Sequence, residues 1–128
     1  MFTKQTGNWG EKIAEDFLKR KDYKILDKNY SFRIPGNPQK GEIDIIAERE
    51  NGIIFVEVKT LCVRSGQAFL PEDKVNFSKQ KKLIKTAESW LMKNKIPLNS
   101  KWQIDVISIN TDKDFKEAKI SHFINALC

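Results

Sequence analysis

Two short apolar runs, Glu42–Glu48 and Ile53–Thr60, flank an Asn51-Gly52 pair. Asn-Gly between β-forming runs is a strong hairpin signal, because both residues accept the positive φ that a two-residue turn demands. A hairpin alone is barely stable in water, so these strands need further strands beside them and helices over them. The rest of the chain supplies candidates. From Asn8 to about Lys21, Ile13, Ala14, Phe17 and Leu18 recur at helical spacing. Asn8 fits an N-cap there, with Glu11 three residues on as in a capping box. Residues 75 to about 94 carry the longest helical pattern, a stripe of Phe77, Leu83, Ile84, Ala87, Trp90 and Leu91, with Pro97 past its end.

Further strands are expected at Tyr30–Ile34, which Pro35-Gly36-Asn37-Pro38 terminates, and at Trp102–Ile109. Ala118–Ile124 suggests a last strand with Ile120, His122 and Ile124 on one face, while Cys62–Pro71 reads as a loop. The order helix, three strands, helix, one or two strands predicts a layered α/β or α+β fold. A length of 128 residues suits a single domain, 1–128, around one core.

Composition narrows the chemistry. With 40% hydrophobic and 31% charged residues the chain is expected to be a folded globule. No apolar run approaches the ~20 residues of a membrane span. Met1–Gly10 has no secretory hydrophobic segment, so the cytoplasm is the expected compartment. The two cysteines, Cys62 and Cys128, form no Cys-x-x-Cys pair, and His122 is the single histidine. A structural zinc site and a His-based triad therefore lack their parts. A metal ion here would be a hard one held by carboxylates.

Charge is concentrated. The net charge is +6, and residues 74–95 hold seven lysines against one acid, Glu88, which accounts for the whole excess. A basic surface of this kind suits a polyanion. On a helical wheel Lys74, Lys81 and Lys85 share the outer face, Lys82 lies farther round, and Lys79 borders the apolar stripe. All five are candidate phosphate contacts, which position nucleic acid without reading its sequence.

Three charged residues interrupt the apolar strands: Asp44 in the first, Glu57 and Lys59 in the second. Strand side chains alternate, so Glu57 and Lys59 share a face. With Asn51 and Gly52 as the turn, Asp44 falls opposite Lys59. Asp44 and Glu57 are then diagonal neighbours, roughly 7–8 Å apart at the backbone. Such a pair suits Mg²⁺ or Mn²⁺, since Mg²⁺ takes one or two carboxylates together with water and phosphate oxygens. Lys59 is placed to stabilise charge developing on a phosphate. A cross-strand Asp44–Lys59 salt bridge on a solvated face is the structural alternative.

Taken in order, these residues resemble the PD-(D/E)xK nuclease signature. More narrowly, the chain resembles the YraN family, bacterial proteins similar to Holliday-junction resolvases. The matching pieces are Gly7 and Gly10-Glu11 with Ala14 and Leu18, Asn29-Tyr30, Gly41-Glu42-Ile43-Asp44-Ile45-Ile46-Ala47, Phe55-Val56-Glu57-Val58-Lys59-Thr60, the helix with Val75, Lys79, Lys82, Leu83 and Ala87, and Asp105-Val106. They span nearly the whole chain. Leu61 and Cys62 depart from an arginine that usually follows the Lys-Thr pair, and Asp22 replaces a common glycine. The resemblance implies a restriction-endonuclease-like three-layer core, a mixed central sheet flanked by helices. It also implies that Asp44, Glu57 and Lys59 carry the nuclease signature, that Glu11 adds a carboxylate to the metal shell directly or through water, and that a homodimer is one possible assembly.

Gln80 falls inside the apolar stripe of its helix, and a polar group aimed at a sheet needs a partner. Some nuclease relatives place such a glutamine in the active site, whereas a bond to strand ends is the plainer role. His122 is not expected to be catalytic, and Asp105 is assigned no chemistry. Three functions follow as expectations: a Mg²⁺-dependent endonuclease acting on DNA, branched or structured forms included; a nucleic-acid-binding protein that keeps the fold and does not cut; and an interaction scaffold in which the charged cluster is structural.

Overall fold

The computed structural model describes residues 4–36, 40–62, 77–112, 114 and 116–126. The order is α1 (Lys4–Arg20), β1 (Lys24–Arg33), β2 (Lys40–Arg49), β3 (Gly52–Cys62), α2 (Phe77–Lys93), β4 (Trp102–Thr111) and β5 (Ala118–Phe123). The five strands form one mixed sheet in the order β1-β2-β3-β4-β5. Among the described strands only β3 and β4 are parallel, joined by the crossover that contains α2; the other neighbours are antiparallel. Among the described residues no helix is long and apolar enough to cross a membrane.

The helices cover opposite faces. Ala14 and Leu18 of α1 pack on Ile45, Ala47, Ile54, Val56, Ile107 and Ile109. Leu83, Ala87, Trp90 and Leu91 of α2 pack on Ile46, Phe55, Ile104 and Val106. The alternation Ile54, Val56 against Phe55, Glu57 along β3 gives each layer its own core. Phe55, fully buried, meets Trp90 and Trp102 edge-on, each at 5.7 Å between ring centres. The α/β expectation, a mixed sheet between helices, describes this architecture.

Several boundaries differ from the sequence reading. Helix α1 begins by Lys4, so Asn8 lies inside it and Glu11 is not an N3 capping residue. Strand β1 starts six residues earlier than Tyr30, because a bulge between Ile25 and Asp27 breaks its alternation. Ile84 is exposed instead of joining the stripe of α2, and Ile124 lies exposed beyond β5. The expected Cys62–Pro71 loop falls outside the described residues except Cys62, which ends β3.

The hairpin register also differs. Arg49 pairs with Gly52 and Ile45 with Val56, so Glu50 and Asn51 form the turn, at φ 52° and 65°. Gly52 instead opens β3 beneath the side chain of Lys101. The shift of two positions leaves every side chain on its face.

Both helices end on a residue in the left-handed region. Asp22, at φ 67°, follows α1, where Tyr23 N–H donates to Leu18 O. Lys95, at φ 59°, follows α2, where Ile96 N–H donates to Leu91 O. Asp22 stands where glycine is common in the YraN resemblance.

Candidate active site

The ladder between β2 and β3 runs from Arg49–Gly52 to Ile45–Val56. One position on, Val58 N–H donates to Asp44 Oδ2 at 2.7 Å, so a side chain takes over the work of the backbone. On the other side of β2, Lys28 pairs with Ile45 and Tyr30 with Ile43, and the intervening Asn29–Asp44 rung is skipped. Asn29 has φ 53°, a left-handed conformation that asparagine tolerates better than most residues. The break turns β1 over: Lys28 reaches Glu15 of α1 at 3.0 Å, while the Tyr30 hydroxyl bonds Ser89 of α2 at 2.8 Å. Asp44 thus sits where β2 is loosened from both neighbours.

Glu57 meets it from β3. Burial, and then the charge of Asp44 beside it, push the Glu57 carboxyl up to about 8. Its side chain is only 11% exposed, and Lys79 Nζ of α2 approaches Glu57 Oε2 at 3.6 Å. Lys79 and then Lys59 oppose the rise by favouring the charged form.

Asp44 and Glu57 line a hollow of about 410 Å³. Lys79 and Lys82 of α2 and the Lys40–Glu42 pair of β2 complete its charged lining. Close approach of α2 makes this possible. A Cβ on Gly41 would lie 1.9 Å from Thr86 Oγ1, and Thr86 is buried with its hydroxyl donating to Lys82 O. Only glycine lets β2 and α2 meet there.

Helix α1 comes as close on its own side. A Cβ on Gly10 would lie 1.8 Å from Thr60 Oγ1. The neighbouring Glu11 is half-buried; burial and the charge of Asp44 raise its carboxyl, Lys28 lowers it and Glu42 raises it. Glu11 lies in the field of Asp44 and Glu42, yet among the described residues no three His, Cys, Asp or Glu side chains group closely enough to hold a metal ion together. The donor set fits Mg²⁺ or Mn²⁺ nonetheless: two convergent carboxylates are what Mg²⁺ takes from a protein, with water and phosphate completing the shell.

Some expected residues are rearranged. Lys59 does not line the hollow and acts on Glu57 electrostatically. Lys79 makes the ion pair, and Lys82, expected farther round the helix, lines the hollow. Lys81 and Lys85 are exposed, and Gln80 is half-buried outside the hollow lining. Lys74 lies outside the described residues. Lys40 and Glu42, missed in the sequence, form a 3.4 Å ion pair at the rim. The Gly41-Glu42 step beside Asp44 was the signal for them. Asp105 is fully buried, and accepts from Asn125 N–H at 2.8 Å, pairs with His122 at 2.7 Å and accepts from Gln103 at 2.8 Å. It anchors β5 and the segment after it.

The model of the uncharacterised protein family UPF0102 matches residues 10–109. A UPF0102 protein of Clostridioides difficile (strain 630) is 42% identical over 127 residues, covering 98% of this chain and 99% of that protein. One of Caldanaerobacter subterraneus subsp. tengcongensis is 39% identical over 125 residues, covering 96% and 94%. One of Flavobacterium psychrophilum is 39% identical over 121 residues, covering 94% and 91%.

Proposed function

We infer, from the premise that this chain belongs to the uncharacterised protein family UPF0102, the YraN family of the resemblance, that it is a metal-dependent nuclease of restriction-endonuclease-like fold acting on DNA. One observation carries the reading: the carboxyls of Asp44 and Glu57, from neighbouring strands, line one hollow together with Lys79, Lys82 and the Lys40–Glu42 pair.

Asp44 and Glu57 would hold Mg²⁺ or Mn²⁺, with Glu11 within electrostatic reach. When bound, the ion supplies charge neutralisation at the phosphate and activation of water. The chain's own residues do the rest. Val58 N–H fixes one oxygen of Asp44, so that carboxylate is oriented before anything binds. Burial of the Glu57 side chain strengthens the coupling of its carboxyl to the charges around it. Lys79, 3.6 Å from Glu57 Oε2 in the lining of the hollow, would meet a phosphate oxygen seated there. Lys59 adds positive potential behind Glu57. Lys82, with Lys81 and Lys85 farther out on α2, grips the backbone of the DNA.

The test is a panel of duplex, single-stranded, flap and four-way DNA with Mg²⁺ or Mn²⁺. Cleavage of at least one form is expected, abolished by chelator and reduced about 10³-fold or more in Glu57→Ala, whose lost group acts in the reaction itself. No metal-dependent cleavage of any form would overturn the reading. Localised lysines favour the second reading, a nucleic-acid-binding protein that does not cut; it expects salt-sensitive binding indifferent to chelator.

A further inference from the structure

The skipped rung at Asn29–Asp44 opens a second hollow, of about 210 Å³, on the β1 side of Asp44. Asn29 and Ser31 line it, together with Lys40, Glu42 and Asp44, which it shares with the first. The two therefore meet across Asp44 and the Lys40–Glu42 pair. The second is smaller than the ~300–1,000 Å³ typical of drug-sized ligand sites. Its lining is an amide, a hydroxyl, an ammonium and two carboxylates, with Ile43 as the apolar member. Among the described residues no aromatic face lines it for a base to stack on. Asn29, Ser31 and Lys40 are exposed, and each can donate to a phosphate or sugar oxygen. Glu42 holds Lys40 at 3.4 Å, between the two hollows.

We propose that the strand being cut crosses the break at Asp44, with the reacting phosphodiester over the Asp44–Glu57 hollow and the adjoining sugar–phosphate unit in the Asn29–Ser31–Lys40 hollow. This rests on the nuclease reading and adds a direction to it. The strand leaves the lysines of α2 and exits over β1, and recognition there is of backbone and not of base.

The variant for the test is Asn29→Gly/Ser31→Ala/Lys40→Ala. Glycine keeps the left-handed backbone at 29 while removing the amide. The probe is whichever of the four DNA forms wild type cuts fastest, with a neutral methylphosphonate placed singly at each phosphate flanking the cut. Wild type is expected to slow about tenfold at one adjoining position, the effect of one charge-assisted contact. The variant is expected to be about as slow with the unmodified DNA, and to lose no further rate when that phosphate is neutralised. Cutting by both proteins with the same interference at every position would overturn the proposal and leave the nuclease reading intact. If no form is cut, the nuclease reading fails by itself. Binding of fluorescein-labelled dT12 at low salt, by anisotropy, then decides the surface: a several-fold weaker variant upholds a backbone contact there, and equal binding overturns it.

Discussion

Glu57 carries the clearest energetic signature in the molecule. Its ordinary value is 4.5, and in the fold it rises to about 8. The native protein thus keeps a proton that the unfolded chain releases, and metal-free stability falls as pH climbs from about 4.5 to 8. Glu57→Gln replaces that protonated carboxyl by a neutral amide. At pH 8 the metal-free variant is expected to exceed wild type by about 1–3 kcal/mol, with little advantage near pH 4.5. Urea denaturation at both pH values measures it; parallel pH dependence in the two proteins would contradict the assignment. Asp22 offers a second residue-scale check. Its φ of 67° costs aspartate more than glycine. Asp22→Gly is expected to raise stability by about 0.5–1 kcal/mol, seen as a higher urea midpoint with unchanged slope.

Among the elements, the packing of α2 onto β2 decides whether a site exists. Gly41→Ala would drive a methyl into Thr86 Oγ1, and an overpacking cost of about 1–3 kcal/mol is expected. Thr86→Ala in the same chain makes room, so the double variant should be less destabilised than the two single costs added together. Additive costs, measured by denaturation, would place the strain elsewhere. The elements also show what a sequence can and cannot reveal. Asp44 and Glu57 were legible because acids inside apolar strands are conspicuous. Their register was not: moving the turn from Asn51-Gly52 to Glu50-Asn51 buries the same side chains, so hydrophobic pattern could not choose between them. The angle of Lys79 on its helix was legible. That Lys82 also lines the hollow was not, because it depends on the close approach of β2 and α2 at Gly41 and Thr86, segments distant in sequence. The early half of β1 was hidden by its bulge, and the turnover at Asn29 by the lack of any local signal beyond an asparagine within a strand.

At the scale of the whole molecule, an acidic pair is set into a basic surface. The rest of the chain is electrically balanced, while the segment around α2 carries the net charge of +6. Nucleic-acid binding should therefore weaken steeply with salt. Lys79→Ala and Lys82→Ala should each reduce the slope of log K against log salt by about 0.9. An unchanged slope would move the DNA off this face. The acidic pair itself is tested most directly by calorimetric titration of the metal-free protein with Mn²⁺. One ion per chain is expected for wild type, with binding lost or weakened at least about tenfold in both Asp44→Asn and Glu57→Gln. Wild type that takes up no Mn²⁺, or variants that bind it as wild type does, would contradict the central claim that these two carboxyls form one metal site.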